Sequence, residues 1–156
     1  MSRILLILTG AEASPHATAR ALDLAAAAKS ELVAAHVHDP ETAERYERRA
    51  MEQGFLGERV GEMVHQALFD DEQVRVREVL DAVSAQAQAR SVACQTVSAQ
   101  GRFAPTVMRL AAEHDAGHVV LARPRHSRLR RLLHGSPVEE LRRATLVKVE
   151  VVDEGS

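Results

Sequence analysis

The sequence predicts a doubly wound α/β fold: a five-stranded parallel sheet with helices on both faces. Three observations point to it. Short runs of leucine and β-branched residues alternate with longer stretches striped at helical spacing, strand to helix to strand. The first run, RILLIL at residues 3–8, is apolar without alternation, as a strand buried on both faces of a parallel sheet requires. The apolar share is 46% but aromatics make up only 3%, so the core must be built mainly from Ala, Val and Leu, which suits close packing of helices on a sheet.

The elements follow in order. Thr9, Gly10 and Ala11 break the first strand. Ser14 then Pro15 read as a helix start, a capping residue followed by a proline where its missing N–H leaves nothing unsatisfied. Ala17, Ala21, Leu24, Ala25 and Ala28 recur at helical spacing, so residues 15–29 form an amphipathic helix. Residues 31–37 (ELVAAHV) are a second strand, ended by His38, Asp39 and Pro40. Strand, helix, strand is the βαβ unit, a parallel pair with a right-handed crossover.

Residues 41–68 are charged and rich in helix formers, but Gly54, Gly57 and Gly61 interrupt them. Two short helical pieces with flexible joints are expected there, within a variable insertion over residues 41–72. Asp70 and Asp71 then cap a helix whose stripe is Val76, Val79, Leu80, Val83 and Ala87, ending near Arg90. Residues 92–97 are a third strand and Gly101 to Phe103 a loop. Pro105 opens a helix with Val107, Leu110, Ala111 and His114 on one face, ended by Asp115, Ala116 and Gly117. Residues 118–122 are a fourth strand and 136–143 a short helix, whose Ser136 and Glu139 make a capping box with Pro137 at the first helical position. Residues 145–152 are a fifth strand, whose alternation marks it as an edge. Residues 1–152 make one domain and 153–156 a short tail.

The bulk numbers exclude several functions. A chain of 156 residues buries enough surface to need no disulfide or metal staple. A net charge of −2 gives no overall basic field, and few aromatics are present to stack on bases, so neither nucleic acid nor membrane is an expected partner. The apolar run Ile4 to Leu8 is too short for a signal peptide, and a cytoplasmic location is expected. Cys94 is the sole cysteine, which forbids an internal disulfide, and it reads as a small buried hydrophobe.

Ligands of doubly wound sheets sit at the carboxyl ends of strands where the strand order reverses. The candidate loops are those after strands one and four, residues 9–13 and 123–135. The second lies in LARPRHSRLRRLLHGS, with arginine at five of the nine positions from Arg123 to Arg131, and runs into a helix start. Strand, basic loop and helix N-terminus in that order make an anion site. His36 and His38 alternate along the second strand and are placed on opposite faces, which makes no metal pair; His126 and His134 lie in the basic loop. There is no HExxH, no paired-carboxylate pocket and no nucleophile elbow, so no catalytic or metal-ligating residue is assigned.

Residues 4–14, the alanine-rich helix and ELVAAHVHDP together resemble the opening of the universal stress protein family. VVLARPRHSRLRRLLHGSPVEELRRATLVKVEVV resembles the closing block of that family, so the likeness spans the chain apart from the insertion. It implies a Rossmann-like fold of the adenine nucleotide alpha hydrolase type. Many members bind ATP through a glycine, two residues, a second glycine, nine residues, then glycine and serine or threonine. That spacing falls on Ala122, Arg125, Gly135 and Ser136, so the final pair matches and both loop glycines are replaced. The family commonly has an aspartate at the end of strand one; here it is Thr9, followed by Gly10 as in the family. His38 falls beside the adenine position, while Arg123 and Ser127 belong to the loop.

These departures have physical content. Glycine permits positive φ and lets backbone approach a phosphate without a Cβ. Ala122 restores a Cβ, Arg125 brings a long side chain, and Thr9 removes a carboxylate. The resemblance with these changes implies a regulatory, stress-response protein that does not hold ATP in the usual family manner, is no enzyme and has no assigned cofactor. The alternative is a module for ATP, AMP or another phosphate anion, in which Arg123, Arg125 and Arg128 supply bidentate contacts in place of the glycines; slow ATP hydrolysis belongs to that alternative. The family also implies a homodimer formed by the fifth strand, through Leu146, Val147, Lys148, Val149, Glu150 and Val151, and a protein partner is a further expectation.

Overall fold

The computed structural model describes residues 2–40, 58–123, 139, 141–143 and 147–155; over 58–69 it describes the backbone and, of the side chains, only that of Ala67. The elements are β1 (Arg3–Leu8), α1 (Pro15–Ala28), β2 (Leu32–His38), α2 (Glu58–Ala89), β3 (Cys94–Gln100), α3 (Phe103–Glu113), β4 (Ala116–Arg123) and β5 (Lys148–Asp153). The strands form one sheet in the order β3-β2-β1-β4-β5, and every neighbouring pair is parallel. The chain travels outward from β1 through β2 to β3, then returns to lay β4 against the other side of β1. The order therefore reverses between β1 and β4, where a doubly wound sheet opens a crevice at its carboxyl end.

Strand periodicity divides the core in two. Ile4, Leu6 and Leu8 of β1, with Leu32, Ala34, Val120 and Ala122, face α1 and α2 and pack on Ala17, Ala21, Leu22, Ala25, Val76, Leu80, Val83 and Ala87. Leu5 and Ile7, with Val33, Ala35, Val37, Val119 and Leu121, face α3 and meet Phe103, Val107, Leu110 and Ala111. Leu141, within the helical backbone of 141–143, closes that second face at 1% exposure. Ser136 and Pro137 of the expected capping box lie outside the described residues.

Several sequence expectations are corrected. Asp70 and Asp71 do not cap a helix and Gly61 does not interrupt one: α2 runs unbroken for 32 residues through all three. Good helix formers on both sides outweigh the roughly 1 kcal/mol cost of one glycine, and Asp71 pairs with Arg75 one turn on, at 3.2 Å. Gly54 and Gly57 lie outside the described residues. Ser14 takes the N-cap position of α1 but its side chain makes no capping bond. Pro105 is the third residue of α3, not its opening. Proline is accepted there because the first-turn N–H groups have no partner within the helix. After α3, Asp115 takes the left-handed turn at φ 50°, leaving Ala116 and Gly117 to begin β4.

The third strand is displaced toward its carboxyl end, because Val92 still donates to Ala87 at the close of α2. It is an edge strand whose exposed residues are Gln95, Thr96, Ser98 and Gln100, so Cys94 is half-buried on an edge and not enclosed in the core. β5 forms the opposite edge, as its alternation predicts.

Candidate functional site

The carboxyl ends of β1 and β4 build the crevice. Their register pairs Ile7 with Leu121, which carries Thr9 and Gly10 past the end of β1 alongside Ala122 and Arg123. β2 lies on the other side of β1 with Leu8 opposite His36, so His38 ends its strand at the same rim. Five sequence-selected residues, Thr9, Gly10, His38, Ala122 and Arg123, thus share one edge of the sheet. The other four, Arg125, Ser127, Gly135 and Ser136, lie outside the described residues.

Each of the five has a distinct setting. Thr9 is 5% exposed and its Oγ1 has no hydrogen-bond partner. Ala122 is 1% exposed and packs with the α1-side core, so the Cβ it adds is spent on packing. Arg123 ends β4, and its guanidinium meets the Asp153 carboxylate at 3.5 Å. Gly10 is half-buried just beyond β1, and the His38 carbonyl accepts from Gly101 N–H at 3.0 Å. Gly101 adopts φ 148°, where a Cβ would stand 2.6 Å from Thr106 Oγ1.

His36 and His38 do not lie on opposite faces. Residues two apart on a strand share a face, and His36 follows Leu32 and Ala34 toward α1 and α2. Burial first, then the nearby His38, pushes the His36 imidazole down to about 4, so it is neutral near pH 7. At Cys94 burial raises the thiol, and a hydrogen bond with the Ala34 backbone opposes this only in part; the group lacks the activated character of a reactive thiol. Among the described residues no three His, Cys, Asp or Glu side chains gather as a metal site, and no helix is long and apolar enough to cross a membrane.

The residue that sequence reasoning missed is Glu154, part of the supposed tail. Its N–H donates to the Arg123 carbonyl at 3.1 Å, one residue beyond the β4–β5 pairing. Its side chain is 4% exposed and accepts from the backbone N–H of Ala17 at 2.7 Å and of His16 at 3.0 Å, with His16 Nδ1 at 3.2 Å. A carboxylate of the chain therefore occupies the positive end of α1 beside the crevice. The signal lay in topology: in a parallel α/β sheet an acidic residue just past an inner or edge strand arrives where helix N-termini begin.

The sequence profile of the universal stress protein family matches residues 1–153. The chain belongs to that family. Compared by sequence with the curated proteins, it finds no match. Solved universal stress proteins share its fold. One from Burkholderia pseudomallei is 26% identical, with a TM-score of 0.65 over 97% of this chain and 95% of that one. One from Lactobacillus plantarum is 18% identical, with a TM-score of 0.64 over 97% of each chain. Another, solved in complex with cAMP, is 18% identical, with a TM-score of 0.61 over 99% of this chain and 98% of the other. In the frame of the universal stress proteins, Thr9, Ala122 and Arg123 stand at the carboxyl edge of the two central strands, flanked by the acidic Asp153 and Glu154.

Proposed function

We propose that this universal stress protein is a regulatory, stress-response protein that does not hold ATP in the usual family manner and does not act as an enzyme. One observation carries the reading: among the described residues, the positive groups bordering the crevice already face carboxylates of the chain, Glu154 on the first turn of α1 and Asp153 on Arg123. A phosphate there would have to compete with both. Thr9 adds to this, since it offers no carboxylate and its hydroxyl is buried. The protein acts through partners, in the cytoplasm, as a homodimer joined along β5.

A second reading keeps a nucleotide. The fold is shared with a universal stress protein solved with cAMP, and Arg123, Arg125 and Arg128 are the bidentate donors that would take over from the lost glycines. Calorimetry with ATP and magnesium separates the two. No heat at millimolar nucleotide is expected. Micromolar binding abolished by Arg125→Ala would overturn the first reading and establish the second.

A further inference from the structure

The last strand holds α1 at two successive turns. Glu150 of β5 takes Arg20 Nε of α1 on both carboxylate oxygens, at 3.0 and 3.2 Å, and also meets His118 Nε2 of β4 at 3.1 Å. Burial alone would raise the Glu150 carboxyl, but Arg20 and then His118 outweigh it and hold the group below its ordinary value. One helical turn earlier, Glu154 closes the start of α1 through His16 and Ala17. Ser14, the residue placed to cap this helix, makes no capping bond, so the cap comes from 137 positions along the chain. Its own N–H, that of Glu154, is held by the Arg123 carbonyl at 3.1 Å, as a continuation of the β4–β5 ladder.

We propose that Glu154 is a latch through which the C-terminal edge strand controls the order of residues 9–14, the loop that joins β1 to α1 and carries Thr9 and Gly10. Fraying β5 withdraws the carboxylate. The first turn of α1 then loses the acceptor for two N–H groups, and the loop loses its downstream anchor. Conversely, anything that pairs with β5 tightens the loop. The latch is a property of the chain with or without a nucleotide, so its failure is separate from failure of the reading above.

Native-state hydrogen exchange on the full chain tests it. In Glu154→Ala the amides of His16 and Ala17, and those of β5, are expected to exchange about tenfold faster, while those of β2 keep their rates. Uniform acceleration of all strands, or an unchanged β5, overturns the latch. If that chain does not fold, Glu154→Gln, which keeps an acceptor and drops the charge, is expected to give the same pattern at lower amplitude. Adding Ser14→Asp to Glu154→Ala supplies a local cap. The α1 amides should then regain protection while β5 stays fast; recovery of β5 together with α1 would show that only general stability had changed, and would overturn the proposal.

Discussion

His36 is a basic group enclosed at 2% exposure, with Nε2 lacking a partner. The unfolded chain takes up a proton on this side chain near 6.5 and the folded chain only near 4. Acidification through that window therefore favours unfolding, and the contribution is full above the upper value. The difference corresponds to about 3 kcal/mol. Urea midpoints measured between pH 7 and pH 4 should fall steeply for the native sequence and less steeply for His36→Leu; equal slopes would contradict the assignment. Thr9 carries a second buried polar atom without a partner. Replacing it with valine removes an unsatisfied hydroxyl at nearly constant volume, and is expected to stabilise by about 1 kcal/mol. A thermal scan that moves downward would count against this. His36 lies within the second apolar run, whereas Thr9 reads in the sequence as a residue that breaks the first. The burial of His36 was legible there, though the two-residue period of a strand sets it on the same face as His38 and not the opposite one, whereas the burial of Thr9 and the lack of a partner for its hydroxyl depend on what packs around it.

α2 presents two faces of very different weight. Leu80 is 6% exposed and belongs to the core cluster under one face of the sheet, whereas Val74, less than two turns away, is 58% exposed. Leu80→Ala is expected to cost about 2–5 kcal/mol. Val74→Ala should change stability by no more than about 0.5 kcal/mol, in the stabilising direction, since alanine is the better helix former. Chemical denaturation of the two variants checks the contrast. The stripe from Val76 to Ala87 was plain in the sequence, because period 3.6 is imposed by burial along one face. The beginning of the helix was not. Gly61 and the two aspartates look like breakers when each is judged locally, but a helix already under way is extended cheaply compared with the cost of starting another. The bounds of β3 shifted for the opposite reason: an edge strand with polar side chains on view carries little hydrophobic signal.

The whole sheet has two edges of different character. β3 shows uncharged polar residues, while β5 places Val149, Val151 and Val152 half-buried beside the core and ties its acidic residues to α1 and β4. A second copy laid along β5 would satisfy the open ladder and cover those valines. Leu146 of the expected interface lies outside the described residues, and Val147 to Val151 lie at this edge. Light scattering at tens of micromolar is expected to give twice the chain mass; a monomeric mass rules out the dimer. Pairing of this kind would also act on the latch, since Glu154 follows β5 directly.

The fold was legible in the sequence to a high degree. Strands buried on both faces must be continuously apolar, and helices laid on them must be striped, so local pattern alone leads to a parallel α/β sheet and to a crevice beside strands one and four. The closing block and its Gly135–Ser136 pair further marked the family. The contents of that crevice were a different matter. Capping of α1 by Glu154, engagement of Arg123 by Asp153 and burial of the Ala122 methyl join residues thirty or more than a hundred positions apart, or depend on which face a strand residue turns inward. No periodicity records such contacts. They arise because the sheet sets the carboxyl end of its last strand beside the amino end of its first helix, and a carboxylate delivered there finds two backbone N–H groups with no other acceptor.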